Sequence, residues 1–168
     1  MFTKATKIDY QNIADFINTY INPQFSAVLD EEEKEYLVSC ENESTMIESV
    51  ESWYVWYVCY DNDWILQATA SVRKKDQKVI YLWHFYVRTD NQRIWLWSLL
   101  LEEIESMVKN DWYDYILLET QKKFFWAVNF YFKRWYKELN NENISQTYFK
   151  KFYNRLVDPS IMFYKVLK

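Results

Sequence analysis

The sequence predicts an α/β domain with a mixed sheet and helices on both faces. Three observations carry this. Residues 54–60, 65–73 and 78–87 are β-like runs joined by the polar turns 61–64 and 74–77, which reads as a meander. After residue 98 strand-like and helical patterns alternate: a helix with Leu100, Ile104, Met107 and Val108 on one face, an apolar run at 113–119, a helical stretch near 124–134 and a strand-like 136–139. Ahead of the meander lies an amphipathic helix, with Ile13, Phe16, Ile17 and Tyr20 at i, i+3, i+4 and i+7.

Taken in order, residues 2–8 suit a short first strand. Asp9 is placed to cap the first helix, and Pro23 is expected to end it. Asp30 opens a second helix, with Glu31, Glu32 and Glu33 in its first turn to complement the macrodipole. Residues 41–52 are polar, as helix or loop. Residues 88–98 are a polar loop entering a helix. Residues 140–159 form an irregular or partly helical excursion longer than a tight connection needs, either a lid or a dimer element. Residues 161–167 are the last strand. The order is β-α-α-β-β-β-α-β-α-β-β.

At 168 residues the chain is one domain, spanning 1–168, with enough length for a core. No apolar run reaches the length of a membrane span, and residues 1–4 lack the apolar core of a signal peptide, so a cytoplasmic protein is expected. The net charge of −4 argues against nucleic acid as the main partner. Cys40 and Cys59 form no disulfide framework and have no metal-ligand spacing, so no metal is expected.

The chain has no glycine and nine tryptophans, where roughly 7% glycine is usual. The tryptophans stand at 53, 56, 64, 83, 95, 97, 112, 126 and 135. Trp64 closes a tight turn, and Trp112 and Trp135 each follow the end of an amphipathic helix, where a glycine usually sits. Trp95 and Trp97 stand where a strand runs into a helix. Such sites want positive φ or no Cβ, and an indole supplies neither. The pattern fits glycines written as tryptophan. Some bacterial lineages read UGA as glycine and others as tryptophan, and the Lys, Asn, Ile, Tyr and Phe content suits an AT-rich genome. The alternative is a Trp-rich protein.

With glycine at 95 and 97, residues 92–97 read Gln-Arg-Ile-Gly-Leu-Gly. This resembles motif A of the GNAT N-acetyltransferase superfamily, Gln/Arg-x-x-Gly-x-Gly/Ala, and it follows a long strand ending Phe85-Tyr86-Val87. Residues 127–136, Ala-Val-Asn-Phe-Tyr-Phe-Lys-Arg-Trp-Tyr, resemble motif B, and 161–167 resemble the closing strand. The resemblance covers most of the chain. It implies a mixed, mostly antiparallel sheet of about seven strands flanked by helices. It also implies acetyl-CoA as co-substrate, and transfer of the acetyl group to a primary amine in a ternary complex. A non-catalytic acyl-CoA-binding or sensor module on the same fold is the alternative.

The chemistry gives these residue types a purpose. Backbone N–H groups at a helix N-terminus bind a pyrophosphate without a metal, provided that no side chain blocks the approach. The resemblance gives this role to Arg93, Ile94, Trp95, Leu96, Trp97 and Ser98, with side-chain contacts from Gln92 and Arg93. It runs the pantetheine arm along the backbone near Phe85 and Val87. Tyr131 falls in the slot of the acid that protonates the departing thiolate; a phenol near pKa 10 is protonated at neutral pH and can do so. Tyr81 occupies the position where many relatives carry Glu or His as base, and either relays a proton or lines the pocket. His84, the single histidine, has a suitable ordinary pKa. Strict alternation places it opposite Tyr81, Phe85 and Val87 unless a bulge near Trp83 intervenes. Phe124 stands where many relatives have an asparagine.

For the acceptor, a small-molecule amine or a protein amino group is expected. Residues 30–51 carry nine acidic side chains against Lys34 alone, either an attractive surface for a cation or a solvated helix face. Phe25, Tyr148, Phe149, Phe152 and Tyr153 either line a pocket or cover the sheet. Lys150 and Lys151 either meet the cofactor's 3′-phosphate or face water.

Overall fold

The computed structural model describes residues 2–40, 42–88, 94–153, 156 and 160–167. One sheet holds β1 (Thr3–Lys4), β2 (Tyr54–Tyr60), β3 (Leu66–Lys74), β4 (Val79–Val87), β5 (Tyr115–Gln121), β6 (Lys137–Leu139) and β7 (Ser160–Val166), in the order β1-β2-β3-β4-β5-β7-β6. Every pairing is antiparallel except β4 with β5. The mixed, mostly antiparallel seven-stranded sheet is therefore present.

Alternation along the strands divides the core. On one face, α5 (Ile94–Asn110) and α6 (Phe125–Lys133) pack Leu100, Leu101, Ile104, Val108 and Tyr131 onto Ala68, Ala70, Ile80, Leu82, Phe85, Val87, Ile116 and Leu118. On the other face, α1 (Asp9–Phe16) and α4 (Glu43–Glu51) bury Ile13, Phe16 and Met46 against Trp56 and Val58. The late excursion covers the rest of that face, with Ile144 and Phe149 over Val79, Tyr81 and Leu117.

Pro23 does not end the first helix. The chain widens into a π turn at Ile17–Ile21 and continues through α2 (Asn22–Phe25), with Pro23 in its first turn. A proline has no N–H and its ring crowds the carbonyl four residues back; a widened turn before it accommodates both. Asp30 does open α3 (Glu31–Cys40). Its carboxylate accepts from Glu33 N–H at 2.9 Å, and Glu33 returns the bond to Asp30 N–H at 2.9 Å, which is a capping box. Of the polar segment, Glu43–Glu51 is helical, capped the same way by Asn42 and Thr45.

The tryptophans fall into distinct groups. Trp53, Trp64, Trp112 and Trp135 have φ of 69°, 59°, 66° and 66°, in the left-handed region that favours glycine. After α5, Trp112 N–H bonds Lys109 O and Tyr113 N–H bonds Val108 O; after α6, Trp135 N–H bonds Phe132 O and Tyr136 N–H bonds Tyr131 O. Both are Schellman stops with tryptophan at the glycine position. Trp64 is the left-handed third residue of a three-residue hairpin loop between β2 and β3. These four indoles are 82–88% exposed, so packing does not require them. Trp56 is different. It lies mid-strand, is 2% exposed, and its Nε1 donates to Ser49 Oγ at 2.7 Å. At Trp56, unlike those four positions, the indole itself fills a core site.

Candidate active site

β4 and β5 pair only from Val79↔Tyr115 to Leu82↔Leu118. Beyond Leu82 the two strands part, and no described strand covers the β5-side edge of β4 from Trp83 to Val87. The gap opens into a cavity of about 450 Å³ bordered by residues 82–86 of β4, 118–121 of β5, and Phe25, Phe124 and Tyr131. A neighbouring cavity of about 260 Å³ continues toward Val87, Ile21 and Phe130. Trp97, Phe25, Tyr86, Trp126 and Ala127 border both. The gap is thus flanked by β4 on one side and α6 on the other.

The described part of α5 begins at Ile94, just past the end of β4. A helix N-terminus leaves N–H groups without intrahelical partners and attracts anions. Gln92 and Arg93 lie outside the described residues. Ser98 Oγ accepts from the Arg134 guanidinium, which also bonds Glu102 at 2.8 Å. An extended arm would need room along the β4 edge and an anion would need the helix end, and the Trp97 indole stands against the first. Trp97 stands edge-on to Phe85 at 5.5 Å and to Phe130 at 5.6 Å, filling space beside the strand edge; Trp95 is exposed.

Tyr131 lies at the floor of the gap, buried, and burial holds its hydroxyl well above the ordinary phenol range. Tyr131 borders the larger cavity, and its phenol is held protonated. Phe85 borders the larger cavity and Val87 the smaller.

His84 does not lie where alternation puts it. Pairing with β3 jumps from Ser71↔Trp83 to Thr69↔Tyr86, three steps on β4 against two on β3, and His84 takes φ of 50°. This bulge returns Phe85 and Val87 to the face of Ile80 and Leu82, and turns His84 to the face of Tyr81. There the imidazole stacks on Trp56 at 4.7 Å, with Nδ1 3.0 Å from Ser71 Oγ. Burial pushes it down to about 3 from its ordinary 6.5. Such a ring is a weak proton acceptor at neutral pH and suits a structural role.

The low value has a consequence for stability. Below pH 6.5 the unfolded chain takes up a proton on His84 that the folded chain refuses until about pH 3. Stability therefore falls with pH across that window, by up to about 1.4 kcal/mol per pH unit. Urea unfolding between pH 7 and 4.5 will show this slope, and His84→Gln will flatten it. An unchanged slope in that variant would count against a neutral buried His84.

Tyr81 is not at the cavity wall. It is buried behind it, and its hydroxyl donates to Glu119 Oε2 at 3.1 Å. Burial, then the Glu119 charge, push the phenol well above its ordinary value. Glu119 does border the cavity and is exposed to it. Nothing in the sequence reading singled out this residue, although a lone carboxylate closing the apolar run Ile116-Leu117-Leu118 was visible.

Two surface alternatives can be taken further. Tyr148, Phe149, Phe152 and Tyr153 cover the sheet, whereas Phe25 borders the gap. Lys151 pairs with Asp76 in the β3–β4 turn, where Tyr148 OH also donates at 2.7 Å. That turn is at the opposite end of β4 from α5, roughly 25 Å away at 3.3 Å per residue. In the acidic segment, Glu33 pairs with Lys123 and Glu31 with Lys34.

The parted strands, the α5 terminus behind them and the seven-stranded order define the GNAT acyl-CoA N-acyltransferase fold, and solved structures agree. The PaiA N-acetyltransferase from Thermoplasma acidophilum, in complex with coenzyme A, matches with a TM-score of 0.78 and 12% identity over 99% of this chain and 98% of that one. A GNAT-family acetyltransferase from Staphylococcus aureus Mu50 matches at 0.68 and 16% identity, over 100% and 99%. An aminoglycoside 6′-acetyltransferase type Ii matches at 0.65 and 15%, over 100% and 97%. No protein-family model and no curated protein sequence matches the chain. Among the described residues, no helix is long and apolar enough to cross a membrane.

Proposed function

We propose that the protein is an acetyl-CoA-dependent N-acetyltransferase whose working form carries glycine at 95 and 97. The observation that carries this is the opening between β4 and β5, which α5 follows in the chain and Tyr131 borders. The β4 edge beyond its last rung with β5 suits the pantetheine arm. The amides of residues 94–97 suit the pyrophosphate once the indoles are gone. The thioester then lies in the gap, where an amine attacks the carbonyl carbon and Tyr131 protonates the leaving thiolate.

The test is release of free thiol from acetyl-CoA with a panel of primary amines. Tyr131→Phe is expected to lower turnover by about 100-fold or more while leaving coenzyme A binding intact. Full turnover in the variant would remove Tyr131 from the mechanism. Binding without turnover for any amine would favour the acyl-CoA-binding module.

A further inference from the structure

We propose that Tyr136, pinned by Glu105 and Lys165, is a positioning residue that sets where the Tyr131 hydroxyl stands in the gap. This rests on the acetyl-transfer reading and names what holds its acid from behind. Tyr136 follows the stop of α6, and its N–H bonds the Tyr131 carbonyl at 3.1 Å. The two rings meet edge to face, with centroids 5.4 Å apart. Phe163 of β7 packs on Tyr131 at 5.7 Å.

The core between the sheet and α5 and α6 is built of aliphatic and aromatic side chains. Tyr136 carries a hydroxyl into it. The residue is buried, and its hydroxyl donates to Glu105 Oε1 at 3.1 Å. The Lys165 ammonium donates to Glu105 Oε2 at 2.7 Å and lies 5.4 Å from the centre of the Tyr136 ring. Burial, then the Glu105 charge, hold the Tyr136 phenol well above its ordinary range, so it serves as a donor at neutral pH. Glu105 belongs to α5 and Lys165 to β7. One hydroxyl is thus tied to a helix and a strand together. Of these four side chains, Tyr131 is the one that borders the cavity.

Packing alone does not call for this arrangement. Phenylalanine would fill the space of the ring without burying a hydroxyl, and a largely buried ion pair carries a desolvation cost that its attraction roughly offsets. What the hydroxyl adds is direction. An apolar contact tolerates sliding, whereas a hydrogen bond fixes the ring at one point. Tyr131 depends on such fixing. Its hydroxyl is the far end of the side chain, so a small tilt of the ring displaces it most. A proton donor must stand within hydrogen-bond reach of the leaving sulfur, and a misplacement of about 1 Å can cost about 100-fold in rate.

The experiment pairs spectroscopy with turnover on the full chain, the latter in the Trp95→Gly, Trp97→Gly background. With tyrosine isotope-labelled at Cζ, NMR gives a Tyr131 signal identified by its loss in Tyr131→Phe. Glu105→Leu removes the anchor and leaves both rings. It is expected to shift or broaden the Tyr131 signal and to lower kcat about ten-fold, with KM for acetyl-CoA unchanged. Glu105→Gln keeps an acceptor for the Tyr136 hydroxyl and should restore both. Where the single variant does not fold, Glu105→Leu with Lys165→Met leaves no lone charge and takes its place. A Tyr131 signal unmoved by the loss of the anchor, or a defect that Glu105→Gln does not restore, overturns the proposal. So does a rise in KM in place of the fall in kcat. A signal moved and restored in a protein that turns over no amine supports the positioning role and sinks the acetyl-transfer reading. Turnover lost in Tyr131→Phe but unchanged in Glu105→Leu does the reverse.

Discussion

Glycine at positions 53, 64, 112 and 135 together is expected to stabilise the protein by about 4 kcal/mol. A residue with a Cβ in the left-handed region costs roughly 1–2 kcal/mol. Glycine returns part of this through its freer unfolded chain, roughly 0.5–1 kcal/mol, leaving a net gain of about 1 kcal/mol per site. The exposed indoles give up almost no burial when removed. The four sites cap different elements, so their effects should add. Against a typical total of about 5–15 kcal/mol this is a large change. At about 2–4 °C per kcal/mol for a chain this long, thermal unfolding should move up by about 8–16 °C. Alanine at the same four positions is the control, because it removes the indole and keeps the Cβ. Trp56→Gly should act in the opposite sense, losing about 3–5 kcal/mol by emptying a core site. If the glycine and alanine sets melt together, the left-handed geometry is not what those positions require.

The second large effect is on the cofactor. Trp95→Gly combined with Trp97→Gly is expected to raise affinity for coenzyme A by at least about 100-fold. Each charge-assisted bond from a backbone amide to a phosphate contributes about 1.5–3 kcal/mol, and two such bonds span about 100- to 10,000-fold. Removing the Trp97 indole also clears the space beside Phe85 that it fills. Calorimetric titration of coenzyme A into the chain as written, the glycine pair and an alanine pair measures this directly. Tight binding by the chain with both indoles would refute the account of the loop. The gene itself offers an independent check: UGA codons at 95 and 97 fit recoding, and UGG codons there exclude it.

Much of the framework was legible because it depends on local pattern. The three-strand meander, the strand–helix alternation, the capping box at Asp30 and the left-handed stops at Trp112 and Trp135 all follow from spacing and turn chemistry within a few residues. What was missed depends on partners. Period-two alternation could not place His84, because a bulge is defined by two strands, and only the β3 register reveals the extra residue on β4. The π turn before Pro23 is a similar case: proline signals a broken ladder but not how the chain repairs it. Tyr81 was named, but its meaning lies in a hydroxyl that reaches a residue 38 positions away. Glu119 looked like the end of a buried strand until the parting of β4 and β5 placed it at the cavity. Gln92 and Arg93, central to the motif resemblance, lie outside the described residues.

Trp56 carries one more consequence. If the other eight tryptophans are glycines in the working protein, it is left as the sole indole, buried, bonded through Nε1 to Ser49 and stacked on His84. The natural protein would then have an intrinsic fluorophore at one known place. Its emission would be blue-shifted, as expected of an indole shielded from water. Because His84 forms part of the lining of the gap, that single signal would register both protonation of the imidazole and occupation of the neighbouring cleft, with no label attached.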